Sequence, residues 1–224
     1  YVAVYSTFLQ RAYDQIIEEA CLQNLGIVLC VDRAGLVGED GPTHHGIFDL
    51  AYLRSLPNIS VMAAADKDDL EAMLDFSLTL ESPCAIRYPR DLAFPRREKL
   101  PFSPVKLGKG ELLKDGKDAL IIACGTMVSP SLDAAELLLN ENINVAVVNA
   151  RFIKPLDESL ITDLYRRFSV IITVEEGVLK GGFGSAVLEM LQQRELLNNQ
   201  SKILKSLGLP QEFITFDKRK ALLE

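Results

Sequence analysis

The sequence predicts an α/β protein made of two consecutive units with mostly parallel sheets. Short, continuous apolar runs alternate with segments of helical spacing along the whole chain, the pattern of parallel strands buried on both faces by helices. A polar stretch with three prolines interrupts that alternation midway. The composition is globular, with 48% hydrophobic and 25% charged residues among 224. A chain of this length buries enough surface to fold without a disulfide or metal staple.

In the first unit, Val2–Val4, Ile27–Val31, Ile59–Ala63 and Ala85–Tyr88 read as strands, and Leu9–Gln23, Phe48–Leu56 and Asp66–Leu80 as helices. Leu70, Met73 and Leu74 illustrate the helical period. The acidic run Asp66–Glu71 reads as solvated first turns, favoured there by the helix dipole. Residues 92–105 read as a linker, because Pro95, Pro101 and Pro104 around Arg96-Arg97-Glu98-Lys99 suit neither a helix interior nor a central strand.

The second unit, 106–224, has expected strands at Gly110–Lys114, Ala119–Cys124, Val145–Val148 and Val170–Val174. Its expected helices are Ser129–Asn140, capped by Thr126 or Ser129, then Leu156–Phe168 with Pro155 near its start, then Ser185–Leu196. Glu175-Glu176-Gly177 and Gly181-Gly182-Phe183-Gly184 lack the dinucleotide-binding spacing. They are expected to serve close helix packing. The chain opens inside an apolar strand and the first unit has only four strands, so it reads as a segment of something longer.

The net charge is −7, with −6 in residues 1–105 and −1 in residues 106–224. Such a surface disfavours a nucleic-acid partner. No window reads as a membrane span or a signal peptide. Cys21, Cys30, Cys84 and Cys124 stand singly, as reduced thiols rather than a zinc site or a disulfide framework. Asn58-Ile59-Ser60 and Asn199-Gln200-Ser201 match the glycosylation pattern, which is common by chance.

In open parallel sheets, ligands bind beyond the carboxyl ends of the strands. Three of the first four strands run there into polar sequence: Tyr5-Ser6-Thr7-Phe8, then Asp32-Arg33 with the loop Gly38–Gly46, then Arg87-Tyr88-Pro89-Arg90. Tyr5, Arg33, His44 and Arg90 are thus expected at one edge. Two guanidiniums and a phenol suit a phosphate or carboxylate, and His44 suits proton transfer. Asp40 is placed to orient the imidazole or accept from a substrate hydroxyl, and Phe8 and Tyr5 to form a flat wall for an aromatic ligand. Ion pairs of Arg33 with Asp32 and of Arg90 with Asp91 are the plainer alternatives. His44 and His45 are the only histidines and lie in a polar loop, which argues against a buried role.

Tyr5–Gln15, Asp32–Gly38, Asp40–His44 with Gly46, and Arg87–Arg90 resemble the 1-deoxy-D-xylulose-5-phosphate synthases, thiamine-diphosphate enzymes of the transketolase family. Glu175–Gly177, Gly181–Ser185 and Leu207–Pro210 resemble their C-terminal domain. The resemblance implies a partial pyrimidine-binding domain at 1–91 and a transketolase C-terminal domain at 106–224. The implied transferase condenses pyruvate with D-glyceraldehyde 3-phosphate, releasing carbon dioxide, in isoprenoid-precursor and thiamine biosynthesis.

Carried over residue by residue, the resemblance implies that Tyr5, Arg33 and Arg90 bind the acceptor phosphate. His44 moves protons with Asp40 beside it, and Phe8 packs on the aminopyrimidine with Arg11 near the same wall. Residues for the pyrophosphate and magnesium are expected upstream, so this stretch alone should be inert. A homodimer in a bacterial cytoplasm or a plastid is also implied. His45 and Asp91 depart from the usual Gln and Gly: His45 as a second titrating group, Asp91 as a carboxylate able to pull on Arg90. Transketolase itself, a 2-oxoacid dehydrogenase β subunit and a non-catalytic module of the same fold are the competing readings.

Overall fold

The computed structural model describes residues 1–198 and 201–223; Asn199 and Gln200 of the second glycosylation-like tripeptide lie outside them. The front half follows the expected alternation. Strand β1 (Val2–Tyr5) leads into α1 (Ser6–Leu9), a 3₁₀ turn, α2 (Tyr13–Gln15) and a π-helical turn at Ile16–Leu22. Next come β2 (Val28–Asp32), α3 (Asp49–Leu53), β3 (Ser60–Ala63), α4 (Lys67–Ser77) and β4 (Cys84–Arg87).

The back half runs β5 (Glu111–Lys114), β6 (Ala119–Ala123), α5 (Val128–Asn140), β7 (Val145–Asn149) and β8 (Phe152–Lys154). It continues with α6 (Glu158–Arg167), β9 (Val170–Val178), α7 (Phe183–Gln193), β10 (Ile203–Leu209) and α8 (Arg219–Leu223). The strands form two five-stranded sheets, ordered β1-β2-β4-β3-β8 and β10-β9-β6-β7-β5. All pairings are parallel except β3 with β8 and β5 with β7.

The four-strand expectation for the front sheet is therefore corrected. Its fifth strand, β8, comes from the back half, pairing Met62 with Phe152 and Val61 with Lys154. Phe152 is fully buried with Met62, Cys30 and Ile86, and meets Phe76 edge-on at 6.1 Å. Three residues before a proline are too short to carry a period, which is why pattern alone passes over this strand. Strand β10 and helix α8 also lie beyond the elements that the sequence pattern predicts.

One cap, one helix start and one charged run also differ from expectation. Helix α5 has no side-chain cap: a 3₁₀ turn at Gly125–Met127 feeds it directly, and Thr126 donates to Glu176 instead. Helix α6 starts at Glu158, and Asp157 caps it by accepting from the Leu160 N–H. The acidic start of α4 is not wholly solvated. Asp66 caps the helix, but Asp69 is fully buried, accepting from Arg151 Nε at 3.0 Å and Asn149 Nδ2 at 2.6 Å.

Arg96, from the linker, pairs in the same knot with Asp66 at 3.3 Å and with Glu111, and Arg151 reaches Glu111 at 3.1 Å. Arg151 itself sits in the left-handed region, with φ 55°. Buried charges persist only when paired. This knot joins α4, the linker and the Glu111–Asn149 end of the β5–β7 ladder.

Candidate active site

Parallel pairing brings the carboxyl ends of β1, β2 and β4 to one edge, with Tyr5 in register with Asp32. Tyr5 ends β1, and Phe8 follows in α1. Arg33 leaves β2 with φ 56°. The loop after it is closed at its base by reciprocal bonds of 2.8 Å between Gly35 and Gly46. A Cβ at Gly46 would lie 2.4 Å from the Arg33 carbonyl and 2.6 Å from the Ser6 side chain, so only glycine allows this closure.

Six of the seven expected residues meet there. Arg33 Nη2 donates to the Tyr5 hydroxyl at 2.9 Å, and the guanidinium lies 4.1 Å over the Tyr5 ring. Arg33 Nη1 pairs with Asp40 Oδ2, which also accepts from Arg90 Nη1 at 2.8 Å. Arg33 Nε is buried and unpaired. Tyr5 and Phe8 stack at 5.2 Å, and Phe8 meets the His44 ring edge-on at 5.5 Å. Phe8 is 49% exposed and the Arg90 side chain 56% exposed. The result is two guanidiniums gathered on one carboxylate, a donor set with the chemistry to hold an anion, beside an open aromatic face and an imidazole.

Several expectations change at close range. Arg11 is exposed in the 3₁₀ turn after α1, and its side chain makes no hydrogen bond or ion pair among the described residues. Asp40 orients the two arginines, whereas His44 Nδ1 is held by Thr43 Oγ1 at 2.9 Å. Asp32 bonds the Arg33 backbone N–H at 2.7 Å and not its guanidinium. Asp91 pairs with Arg219 at 2.6 Å and not with Arg90.

His45 is a buried structural residue. Its Nδ1 accepts from the Val37 N–H at 3.1 Å, which assigns the proton to Nε2, 3.3 Å from the Thr215 carbonyl.

Beneath the cluster lies a buried layer that sequence reading missed. Arg87 Nε donates to Asp49 at 3.1 Å, and Nη2 donates to the Gly46 and Glu176 carbonyls at 3.3 and 3.1 Å. Glu176 accepts from the Leu36 N–H at 2.8 Å, and Glu175 from the Phe183 and Gly184 N–H groups at 2.8 Å each. Glu175 thus caps α7, and burial pushes its carboxyl up to about 7. The available signal was a charge at the end of an apolar strand, which has to find a partner.

A flat aromatic face that is half open suits an aminopyrimidine ring, so Phe8 fits that part of the cofactor the resemblance implies. Among the described residues, no group of three or more His, Cys, Asp or Glu is arranged to hold a metal ion. No helix among them is long and apolar enough to cross a membrane.

The transketolase pyrimidine-binding domain matches residues 1–95, and the transketolase C-terminal domain matches residues 108–224. The chain is 51% identical, over 95% of its length, to a 1-deoxy-D-xylulose-5-phosphate synthase of Halothermothrix orenii, and covers 33% of that relative. It is 49% identical over 99% of its length to the enzyme of the same name from Nitratidesulfovibrio vulgaris strain DP4, covering 34% of it. The chain thus spans about a third of the length of these curated relatives.

Among solved structures, a split-gene transketolase described as an inactive β4 tetramer superposes with a TM-score of 0.85 at 31% identity, covering 99% of this chain and 69% of that one. A transketolase variant from Pichia stipitis shares the fold, with a TM-score of 0.74 at 21% identity, over 99% of this chain and 31% of its own. With two successive domains matched in order and a transketolase superposed along nearly its whole length, the chain belongs to the transketolase family.

Proposed function

We propose that this chain supplies the acceptor-binding and pyrimidine-facing part of a thiamine-diphosphate-dependent transferase. Its reaction condenses pyruvate with D-glyceraldehyde 3-phosphate to 1-deoxy-D-xylulose 5-phosphate and carbon dioxide. The carrying observation is the Arg33–Asp40–Arg90 arrangement on Tyr5, within one aromatic contact of His44. Two planar guanidinium forks suit a terminal phosphate.

Tyr5, Arg33 and Arg90 hold the phosphate end of the aldehyde. His44 moves a proton at the substrate hydroxyls, and Asp40 keeps the two forks together until the phosphate replaces it. Phe8 packs on the aminopyrimidine; Arg11 enters on the resemblance alone. Thiamine diphosphate, when bound, supplies the ylid and electron sink for the carbon–carbon chemistry. Magnesium and the pyrophosphate belong to the remaining two thirds of the enzyme.

On this reading the chain divides into a partial pyrimidine-binding domain (1–91), a linker (92–105) and the C-terminal domain (106–224). The whole enzyme is a homodimer, in a bacterial cytoplasm or a plastid.

Acceptor preference tests this. The full-length enzyme should turn over D-glyceraldehyde 3-phosphate with a kcat/KM at least roughly a hundredfold above that for D-glyceraldehyde, since each charged hydrogen bond contributes about 1.5–3 kcal/mol. Equal values would remove the phosphate site. This stretch alone, given both substrates, cofactor and magnesium, should show no turnover.

A further inference from the structure

Three stretches far apart in sequence meet at one guanidinium. Arg219, the first residue of α8, donates from Nε to the Leu36 carbonyl at 3.0 Å, from Nη1 to Asp91 at 2.6 Å and from Nη2 to Glu176 at 2.6 Å. Around it the tail lies against the loop that carries Asp40 and His44. Ile214 and Leu222 pack with Leu36, Ile47 and Val178, and the Thr215 carbonyl faces His45 Nε2. A Cβ at Gly38 would come within 2.9 Å of the Arg219 backbone nitrogen.

Asp91 is the partner with consequences. It directly follows Arg90, and a carboxylate so close to a phosphate-binding guanidinium competes with the phosphate. Here Asp91 is turned to Arg219, while Arg90 is turned to Asp40. The Leu36 peptide is clamped from both sides, its N–H by Glu176 and its carbonyl by Arg219. Glu176 is itself buried and takes Arg219 as its cation.

We propose that Arg219 is a positioning residue for acceptor binding: it sequesters the Asp91 carboxylate from Arg90 and pins the loop bearing Asp40 and His44. This rests on the reading of Arg90 as a phosphate ligand.

Steady-state kinetics of the full-length enzyme test it, using Arg219→Gln, Asp91→Asn, the double variant and Arg90→Gln. Arg219→Gln should raise the KM for D-glyceraldehyde 3-phosphate roughly tenfold, the cost of about one charged hydrogen bond, and leave the KM for pyruvate within about twofold. Asp91→Asn in the Arg219→Gln background should bring the acceptor KM most of the way back, which a merely structural arginine would not allow.

An unchanged acceptor KM, an equal rise for both substrates, or no rescue overturns the role of Arg219 while a selective Arg90→Gln defect leaves the phosphate reading standing. Absence of a selective Arg90→Gln defect overturns that reading first, and this one with it. Should Arg219→Gln fail to fold, Arg219→Lys carries the test, because an amine cannot span three acceptors. A smaller selective rise, relieved by Asp91→Asn, is then expected, and no rise overturns the proposal.

Discussion

Arg90 Nη1 lies 2.8 Å from Asp40 Oδ2, the same carboxylate oxygen that engages Arg33. One negative charge thus holds two positive ones in a shape that suits an incoming oxyanion. The two arginines differ in freedom: the Arg33 side chain is 18% exposed and braced on Tyr5, whereas more than half of the Arg90 side chain is open to solvent. Binding energy is retained when the receiving groups are already arranged. Arg33 is thus the braced member of the pair and Arg90 the more open one.

Replacing Arg90 by alanine in the full-length enzyme should therefore raise the KM for D-glyceraldehyde 3-phosphate roughly ten- to a hundredfold. The KM for pyruvate, which has no phosphate, should move by less than about threefold. Initial-rate measurements with each substrate varied in turn check this, and equal effects would make Arg90 a structural residue.

The buried knot predicts a stability effect without a matching kinetic one. Asp69 and Arg151 are both almost wholly inaccessible and bond at 3.0 Å. Arg151→Met takes from the buried Asp69 carboxylate its hydrogen-bonded cation, leaving Asn149 at 2.6 Å and Arg96 at 3.6 Å, and should cost about 3 kcal/mol. Arg151→Met with Asp69→Asn should cost less than the two single changes added together, because paired groups are coupled. Thermal unfolding of the four proteins measures that coupling, and strict additivity would contradict it.

His45 is expected to behave as a hydrogen-bonding spacer. His45→Ala leaves the Val37 N–H without its acceptor and should destabilise by about 1–3 kcal/mol. His45→Gln, whose side-chain oxygen can replace Nδ1, should stay within about 1 kcal/mol of the parent. Urea midpoints distinguish these outcomes. A comparable loss in both variants would mean that the ring itself, through packing, is what matters.

Glu175 gives a pH signature of defined sign. Burial raises its carboxyl from the ordinary 4.5 to about 7, against the opposing pull of the Phe183 and Gly184 N–H groups. Between those values the folded protein keeps a proton that the unfolded chain has released. Its stabilising contribution is thus complete below about pH 4.5 and lost as pH climbs towards 7. Glu175→Gln removes this slope, so the melting temperature of the variant should gain on that of the parent from pH 4.5 to 7 and then level off. A constant gap across that range would refute the assignment.

Much of the front half was legible because its strands are continuous apolar runs, and a parallel sheet then sends Tyr5, Arg33 and Arg90 to a common edge. The loop was readable as far as Asp40 and His44, because polar residues at strand ends need a reason. What stayed hidden depended on partners remote in the chain. Nothing local distinguishes His45 from His44; the burial of one follows from Thr215, 170 residues away. Likewise Asp69 resembles the half-buried Asp66 and Asp68 beside it until Arg151 arrives from the back half, and Asp91 is turned from Arg90 by α8. Short-range pattern reports the backbone well and reports charge pairing across the molecule poorly.

The placement of β8 bears on how such proteins can be recombined. A boundary drawn through residues 92–105 separates the chain by order, yet the last ribbon of the front sheet is encoded some fifty codons further on. A chimera that exchanges residues 1–91 between relatives therefore inherits a seam along Ser60–Ala63, where the incoming backbone must mate with a foreign Phe152–Lys154. Swaps that carry both pieces together keep that seam native.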